Sequence, residues 1–178
     1  VTDPVSPPPS NDECAGAVTL NVNNSCNSIP GNMAGATPSS PALAGICTGP
    51  LAYDVWYKFT AISTSTVVDL SNPGTNFLTP GIEVFSGNCG GLTSIACGND
   101  PLTVPGLTPG NTYYIRVYSR TAPPPNGNAR FNICLTSATA PIVRFGNSYV
   151  NISKKTTGGV VEPGDTLEIR MTMHHTSG

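Results

Sequence analysis

The chain has 178 residues, 10% of them charged, and a net charge of -2, against about 25% charged residues in an average soluble domain. So few cations exclude the basic stripe that a nucleic-acid binder needs to neutralise phosphates, and no apolar run is long enough to span a membrane as a helix. The length allows one large domain, or one domain and part of a second.

Four prolines fall within residues 1–10, Val-Thr-Asp-Pro-Val-Ser-Pro-Pro-Pro-Ser, which read as an extended, semi-rigid linker. Such an opening suits a mature start or an interdomain position. Asn11-Asp12-Glu13 is turn-like, and Ala17 to Val22 can pair as a first strand. Asn23 to Pro50 is a long polar segment with little periodicity. Tyr53 to Thr60 then alternates strictly, with Val55, Tyr57 and Phe59 on one side and Asp54, Trp56 and Lys58 on the other. Holding the only tryptophan of the chain, it is predicted to be a central strand of a sandwich.

Further strands are predicted over Thr64–Leu70, Gly81–Ser86, Leu92–Cys97, Thr112–Ser119 and Ala129–Thr136, separated by turns rich in Gly, Pro and Asn. In the fourth of these, Tyr113, Ile115 and Val117 face one side and Tyr114, Arg116 and Tyr118 the other. Phe131, Ile133 and Leu135 face inward in the last. Ala122-Pro-Pro-Pro-Asn-Gly-Asn128 reads as a rigid exposed loop. A second boundary lies at Ser137–Pro141, and beyond it Val143–Ser153 and Leu167–Met173 are strand candidates, too few for an independent core. The expected organisation is a linker over 1–10, an all-β, jelly-roll-like sandwich with disulfides over 11–136, and a short β tail over 137–178. The tail would pack back, pair with another chain, or begin a second domain.

The six cysteines, Cys14, Cys26, Cys47, Cys89, Cys97 and Cys134, form no Cys-x-x-Cys pair, so disulfides in an oxidising compartment are expected rather than zinc. Two local bridges, Cys26–Cys47 and Cys89–Cys97, and one joining the ends of the sandwich, Cys14–Cys134, are the expected set among the 15 pairings that six cysteines allow.

Four motifs stand in order: Asn11-Asp12-x-Cys14-Ala15-x-Ala17, Asp54-Val-Trp-Tyr-x-Phe59, Val84-Phe-Ser-Gly-x-Cys89-Gly and Leu107-Thr-Pro-Gly-x-x-Tyr113-Tyr-Ile-Arg-Val117. Together they resemble the bacterial pre-peptidase C-terminal domains, in the cysteine-bearing form of secreted and surface proteins of gliding bacteria. The resemblance implies a jelly-roll-like sandwich without catalytic activity, used as an accessory module in proteases, adhesins and multidomain chains. It also implies export across an outer membrane. In the tail, Tyr149-Val-x-Ile-x-Lys154-Lys and Val161-Glu-Pro-Gly-Asp-Thr-Leu-Glu-Ile169 resemble the opening strands of an immunoglobulin-like surface repeat. Asp165-Thr166-Leu167 resembles an O-glycosylation tripeptide with Thr166 as acceptor, and is equally the end of a Pro-Gly-Asp turn.

Three kinds of site are open. Asp12, Glu13, Asp54 and Asp100 are carboxylates at turns or strand ends. They suit the oxygen-rich shell of calcium, as collagen-binding relatives use an acidic linker, or else serve as turn caps and surface groups. Trp56 and Lys58, with Tyr114, Arg116 and Tyr118, would form an aromatic and cationic platform for glycan or collagen if their strands are neighbours, unless the segment 23–50 covers it. Catalysis is not expected, since His174 and His175, the only histidines, stand far from any nucleophile. The expected function is a non-enzymatic structural or adhesive module of a large secreted bacterial cell-surface protein, partnered by neighbouring modules, with assembly into a filament as one version. The alternative is a carbohydrate- or collagen-binding accessory domain of a secreted hydrolase.

Overall fold

A computed structural model describes residues 6–40, 47, 53–75, 77, 80–119, 128–137, 142–157 and 160–176. The chain divides into two units, Val1–Ala138 and Thr139–Gly178. The Pro-rich loop expected over 122–128 lies outside the described residues except for Asn128.

The first unit is a sandwich of two five-stranded sheets. Its strands are β1 (Val18–Thr19), β2 (Val22–Asn23), β3 (Ile29–Asn32), β4 (Asp54–Thr60), β5 (Ser65–Ser71), β6 (Pro80–Asn88), β7 (Gly91–Asn99), β8 (Leu102–Pro105), β9 (Thr112–Ser119) and β10 (Arg130–Thr136). One sheet runs β1-β4-β9-β6-β7; the other runs β2-β10-β5-β8, with β3 also paired to β10. The middle strand of the first sheet is therefore β9, and the tryptophan strand β4 lies beside it. The alternation of both strands dictates the core. Val55, Tyr57 and Phe59 meet Ile115, Val117, Ile82 and Val84 from one sheet and Val68, Leu70, Phe131, Ile133 and Leu135 from the other. The inward faces read from the sequence are the inward faces of the structure.

Two strands, β3 and β8, were not legible in the sequence, and a third expectation is revised. β3 lies inside the polar segment 23–50 and contains Pro30 and Gly31, which oppose strand propensity. Its register is held by antiparallel pairing to β10, Gly31 opposite Phe131. Gly31 is required there, because a Cβ would run into the Tyr57 hydroxyl and the Phe131 ring. β8 is four residues long, and β1 with β2 is one predicted strand that changes sheets: β1 pairs parallel with β4 and β2 parallel with β10.

The disulfides join Cys14 to Cys89, Cys26 to Cys134 and Cys47 to Cys97, with Cα separations of 5.7, 5.4 and 5.8 Å. All three expected pairings are corrected. Cys97 lies opposite Glu83 on β6, six residues before Cys89, so Cys89 and Cys97 stand about 20 Å apart along the hairpin, too far for a bridge. Ile133 and Leu135 point into the core, so Cys134 between them faces outward from the second sheet. Cys14 lies on the outer side of the first sheet, across the whole sandwich from it. Cys26 belongs to the loop joining β2 and β3, both of which pair with β10, and this loop sets it beside Cys134.

The second unit is a three-stranded sheet in the order β12-β11-β13, with β11 (Ile142–Asn151), β12 (Thr156–Thr157) and β13 (Leu167–Thr176). β11 and β13 pair antiparallel over ten residues each, Tyr149 opposite Ile169. The turn chemistry is polar. Asp165 Oδ2 accepts from Asn151 Nδ2 (2.7 Å), the Glu162 backbone N–H (2.9 Å) and Lys154 Nζ (3.1 Å). The Glu162 N–H, then Asn151 and Lys154, hold the Asp165 carboxyl below its usual range. Among the described residues no helix is long and apolar enough to cross a membrane.

Candidate functional site

The outer face of the first sheet carries the residues singled out in the sequence, and strand register sets them in rows. Asp54, Tyr118 and Gly81 are neighbours across β4, β9 and β6; so are Trp56, Arg116 and Glu83; so are Lys58, Tyr114 and Phe85. The two predicted strand faces are thus one surface. Its two ends have different fates.

The Asp54 end is closed. Asp54, Trp56, Glu83, Arg116 and Tyr118 are all fully buried. The N-terminal arm lies along the edge of β4, where Asn11 O accepts the Trp56 N–H (2.8 Å) and Asn11 Nδ2 donates to Trp56 O (3.0 Å). Cys14 and Ala17 then pack on Trp56 and Phe85. The segment after β3 closes the rest. The Ser39 hydroxyl donates to the Asp54 carboxylate (2.7 Å to Oδ1, 2.8 Å to Oδ2) and accepts from Trp56 Nε1 (2.7 Å). Asp12 clips this segment to the arm, accepting Thr37 N–H at 2.6 Å and Thr37 Oγ1 at 2.7 Å.

Arg116 is the centre of this closed layer. Its Nη2 lies 2.5 Å from Glu83 Oε2 and its Nη1 lies 3.6 Å from Asp54 Oδ2. The guanidinium also lies over the rings of Trp56 and Phe85, at 5.3 and 5.1 Å from their centroids, while the two rings contact each other with centroids 5.4 Å apart. A flat, weakly hydrated cation stacks on aromatic faces in a way that an ammonium does not. Two carboxylates share this one guanidinium out of water. Burial pushes the Asp54 carboxyl up to about 6, against the Ser39 hydrogen bond and the Arg116 charge, which favour the anion. Burial likewise pushes the Tyr57 phenol up to about 12. Gly81 needs its missing side chain in this layer, because the Tyr118 ring lies over it and a Cβ would overlap the ring.

The expected platform is therefore corrected in part. Trp56, Arg116 and Tyr118 are interior residues and offer no ligand surface. The sequence signal for this was present: Asp54, Glu83 and Arg116 alternate with core residues in a chain with few charges, a pattern that a second, covered polar layer explains. Glu83 was missed because no motif marks it.

The carboxylates considered for calcium are dispersed in role. Asp12 and Asp54 are engaged as above, Asp100 Oδ1 accepts the Leu70 N–H (2.6 Å) on the other sheet, and Glu13 is exposed. Among the described residues these four form no cluster of ligand atoms. The group that does cluster is Asp69 with Cys26 and Cys134, whose two sulfurs are already joined in a disulfide. Thr166 is exposed, while its backbone N–H donates to Ser153 Oγ (2.9 Å). The side chains of His174 and His175 lie outside the described residues.

The other end of the face is open. Lys58 and Tyr114 are half-buried and stand in one row with Thr19, which pairs with Lys58; Thr60 and Thr112 form the next row. These residues, with Phe59, line a depression of about 310 Å³. It joins the half-buried Tyr114 ring, one ammonium and three threonine hydroxyls on one sheet face, and among its lining residues no general acid, base or nucleophile stands with an orienting partner.

Fold and face define a disulfide-braced β-sandwich module with an open depression beside Tyr114. A family model described as galactose binding domain-like, and associated with T9SS, matches residues 10–133. The chain belongs to this family. The association places it among modules of secreted proteins. The resemblance to pre-peptidase C-terminal domains reaches as far as a secreted-type β-sandwich, and the family matched is the galactose-binding-domain-like one. Neither a curated protein nor a solved structure matches the chain.

Proposed function

We infer that this chain is a non-enzymatic adhesive module of a large secreted bacterial cell-surface protein, and that it holds carbohydrate in the depression beside Tyr114. The observation that carries the reading is the row Thr19–Lys58–Tyr114, left open beside the sealed Trp56–Arg116 end of the same sheet face. Aromatic rings offer sugars an apolar face for stacking, and nearby hydroxyls supply the directed hydrogen bonds. The galactose-binding-domain-like family supports a carbohydrate. The compact outline of the depression favours a short glycan over a collagen triple helix. The same site would serve an accessory domain of a secreted hydrolase. A glycan screen of the whole chain against its Tyr114→Ala variant tests the reading: hits lost in the variant support it, and an unchanged pattern or an empty screen counts against it.

A second reading concerns partners. On β13 of the second unit, Leu167, Ile169 and Met171 share one strand face, and Ile169 and Met171 are 72% and 84% exposed. An apolar strand face of this kind favours assembly with a neighbouring module or subunit, including end-to-end assembly into a filament. Light scattering on the chain and on an Ile169→Glu, Met171→Glu double variant tests it, a monomer in both cases being the adverse result. Thr166 is proposed as a glycan acceptor, to be checked by mass spectrometry of the protein from its native host.

A further inference from the structure

The depression beside Tyr114 is chemically one-sided. Of the residues lining it, one is charged, and it is a cation; no carboxylate lines it. Among the described residues Lys58 makes no ion pair. Its neighbours across the strands are Thr19 on β1 and Tyr114 on β9. Facing residues on paired strands set their Cβ atoms about 5 Å apart, so Tyr114, Lys58 and Thr19 form a strip about 10 Å wide over three strands. Thr60 and Thr112 run parallel to it, directly opposite each other.

A pyranose stacked on the Tyr114 ring would turn its ring substituents toward Lys58 on one side and the threonine hydroxyls on the other. A neutral sugar satisfies the hydroxyls and leaves the ammonium facing only water. An anionic group on the ring gives the ammonium a charge-assisted hydrogen bond, stronger than a neutral one. The ammonium is a compact point charge without the planar fork of an arginine, so it accepts a carboxylate or a sulfate equally. The chain as a whole is slightly acidic, so attraction for an anion has to come from this local cation. We propose that the depression takes an acidic glycan, with Lys58 holding the carboxylate or sulfate of a sugar stacked on Tyr114. This rests on the carbohydrate reading above and specifies its ligand class.

The test is calorimetric titration of the whole chain with three hexasaccharides of one backbone type: neutral galactan, galacturonan and sulfated galactan. At least one acidic oligomer should bind about tenfold tighter than the neutral one, the scale of a hydrogen bond to a charged group. Which acidic oligomer it is distinguishes carboxylate from sulfate. Lys58→Gln should bring the acidic oligomer down to the neutral level, and Lys58→Arg should keep its affinity within about threefold. Tyr114→Ala should weaken all three. Lys58 is half-exposed and outside the core, so its variants should keep the parent melting temperature. Equal affinity for neutral and acidic oligomers, or an acidic preference that survives in Lys58→Gln, overturns this inference and leaves the carbohydrate reading standing. Binding of none of the three overturns both.

Discussion

Arg116 and Trp56 stand opposite one another on β9 and β4, and the guanidinium carbon lies 5.3 Å from the centre of the indole ring. Both are fully buried on the side of the sheet that faces away from the core. This pair makes the sandwich three layers deep at one end, and several measurable consequences come from it.

Trp56→Ala should cost about 3–5 kcal/mol of unfolding free energy, the range for deleting a buried aromatic. Arg116→Leu should cost a similar amount, about 3–5 kcal/mol, because it leaves the buried carboxylates of Asp54 and Glu83 without their cation. Urea unfolding monitored by tryptophan fluorescence (circular dichroism for Trp56→Ala) measures both. Losses typical of a surface change, under about 0.5 kcal/mol, would mean that the layer is open in solution.

Stability should fall as pH rises from about 4 to about 6. Burial raises the folded Asp54 carboxyl to about 6, from an ordinary 3.8, so the folded state holds the extra proton between those values. Its contribution is fully present below the lower value and is lost as pH passes through the upper one. Each pH unit of separation is worth about 1.4 kcal/mol, so the swing is on the order of 3 kcal/mol. Chemical denaturation at a series of pH values checks this, and Asp54→Asn should flatten this part of the profile. A parent profile that rises over the same interval would contradict the assignment.

Gly81→Ala should destabilise by about 1–3 kcal/mol, the cost of overpacking, since the added methyl meets the Tyr118 ring. Tyr118→Ala in the same chain should recover part of the loss relative to Tyr118→Ala alone, which a double-mutant cycle would measure.

Non-reducing peptide mapping should recover Cys14 with Cys89, Cys26 with Cys134 and Cys47 with Cys97. Replacing Cys26 and Cys134 by serine should cost about 2–5 kcal/mol, as this bridge spans 108 residues of sequence. A map linking Cys26 to Cys47 would refute the fold of the segment between β2 and β4.

A chelator should leave the thermal melt unchanged, because Asp12 and Asp54 spend their carboxylates on Thr37, Ser39 and Arg116. A fall in melting temperature with chelator, restored by calcium, would show that an ion adds to these contacts.

By itself the sequence determined the β-sandwich and its inward faces. The reason is local: a period of two in Tyr53–Thr60, Thr112–Ser119 and Ala129–Thr136 assigns alternate residues to one side whatever the strands pair with. It also determined that Tyr114 and Arg116 would share a side, and Trp56 and Lys58 another. Only the tertiary structure decided that these sides are the same surface, that the arm at Asn11 and the segment at Ser39 seal the Trp56–Arg116 end, and that Lys58 and Tyr114 stay open. The disulfides were decided there too. A cysteine pairs with whatever folding brings within about 6 Å, and that depends on strand order and on which sheet each loop crosses, neither of which is written in the spacing of cysteines along the chain.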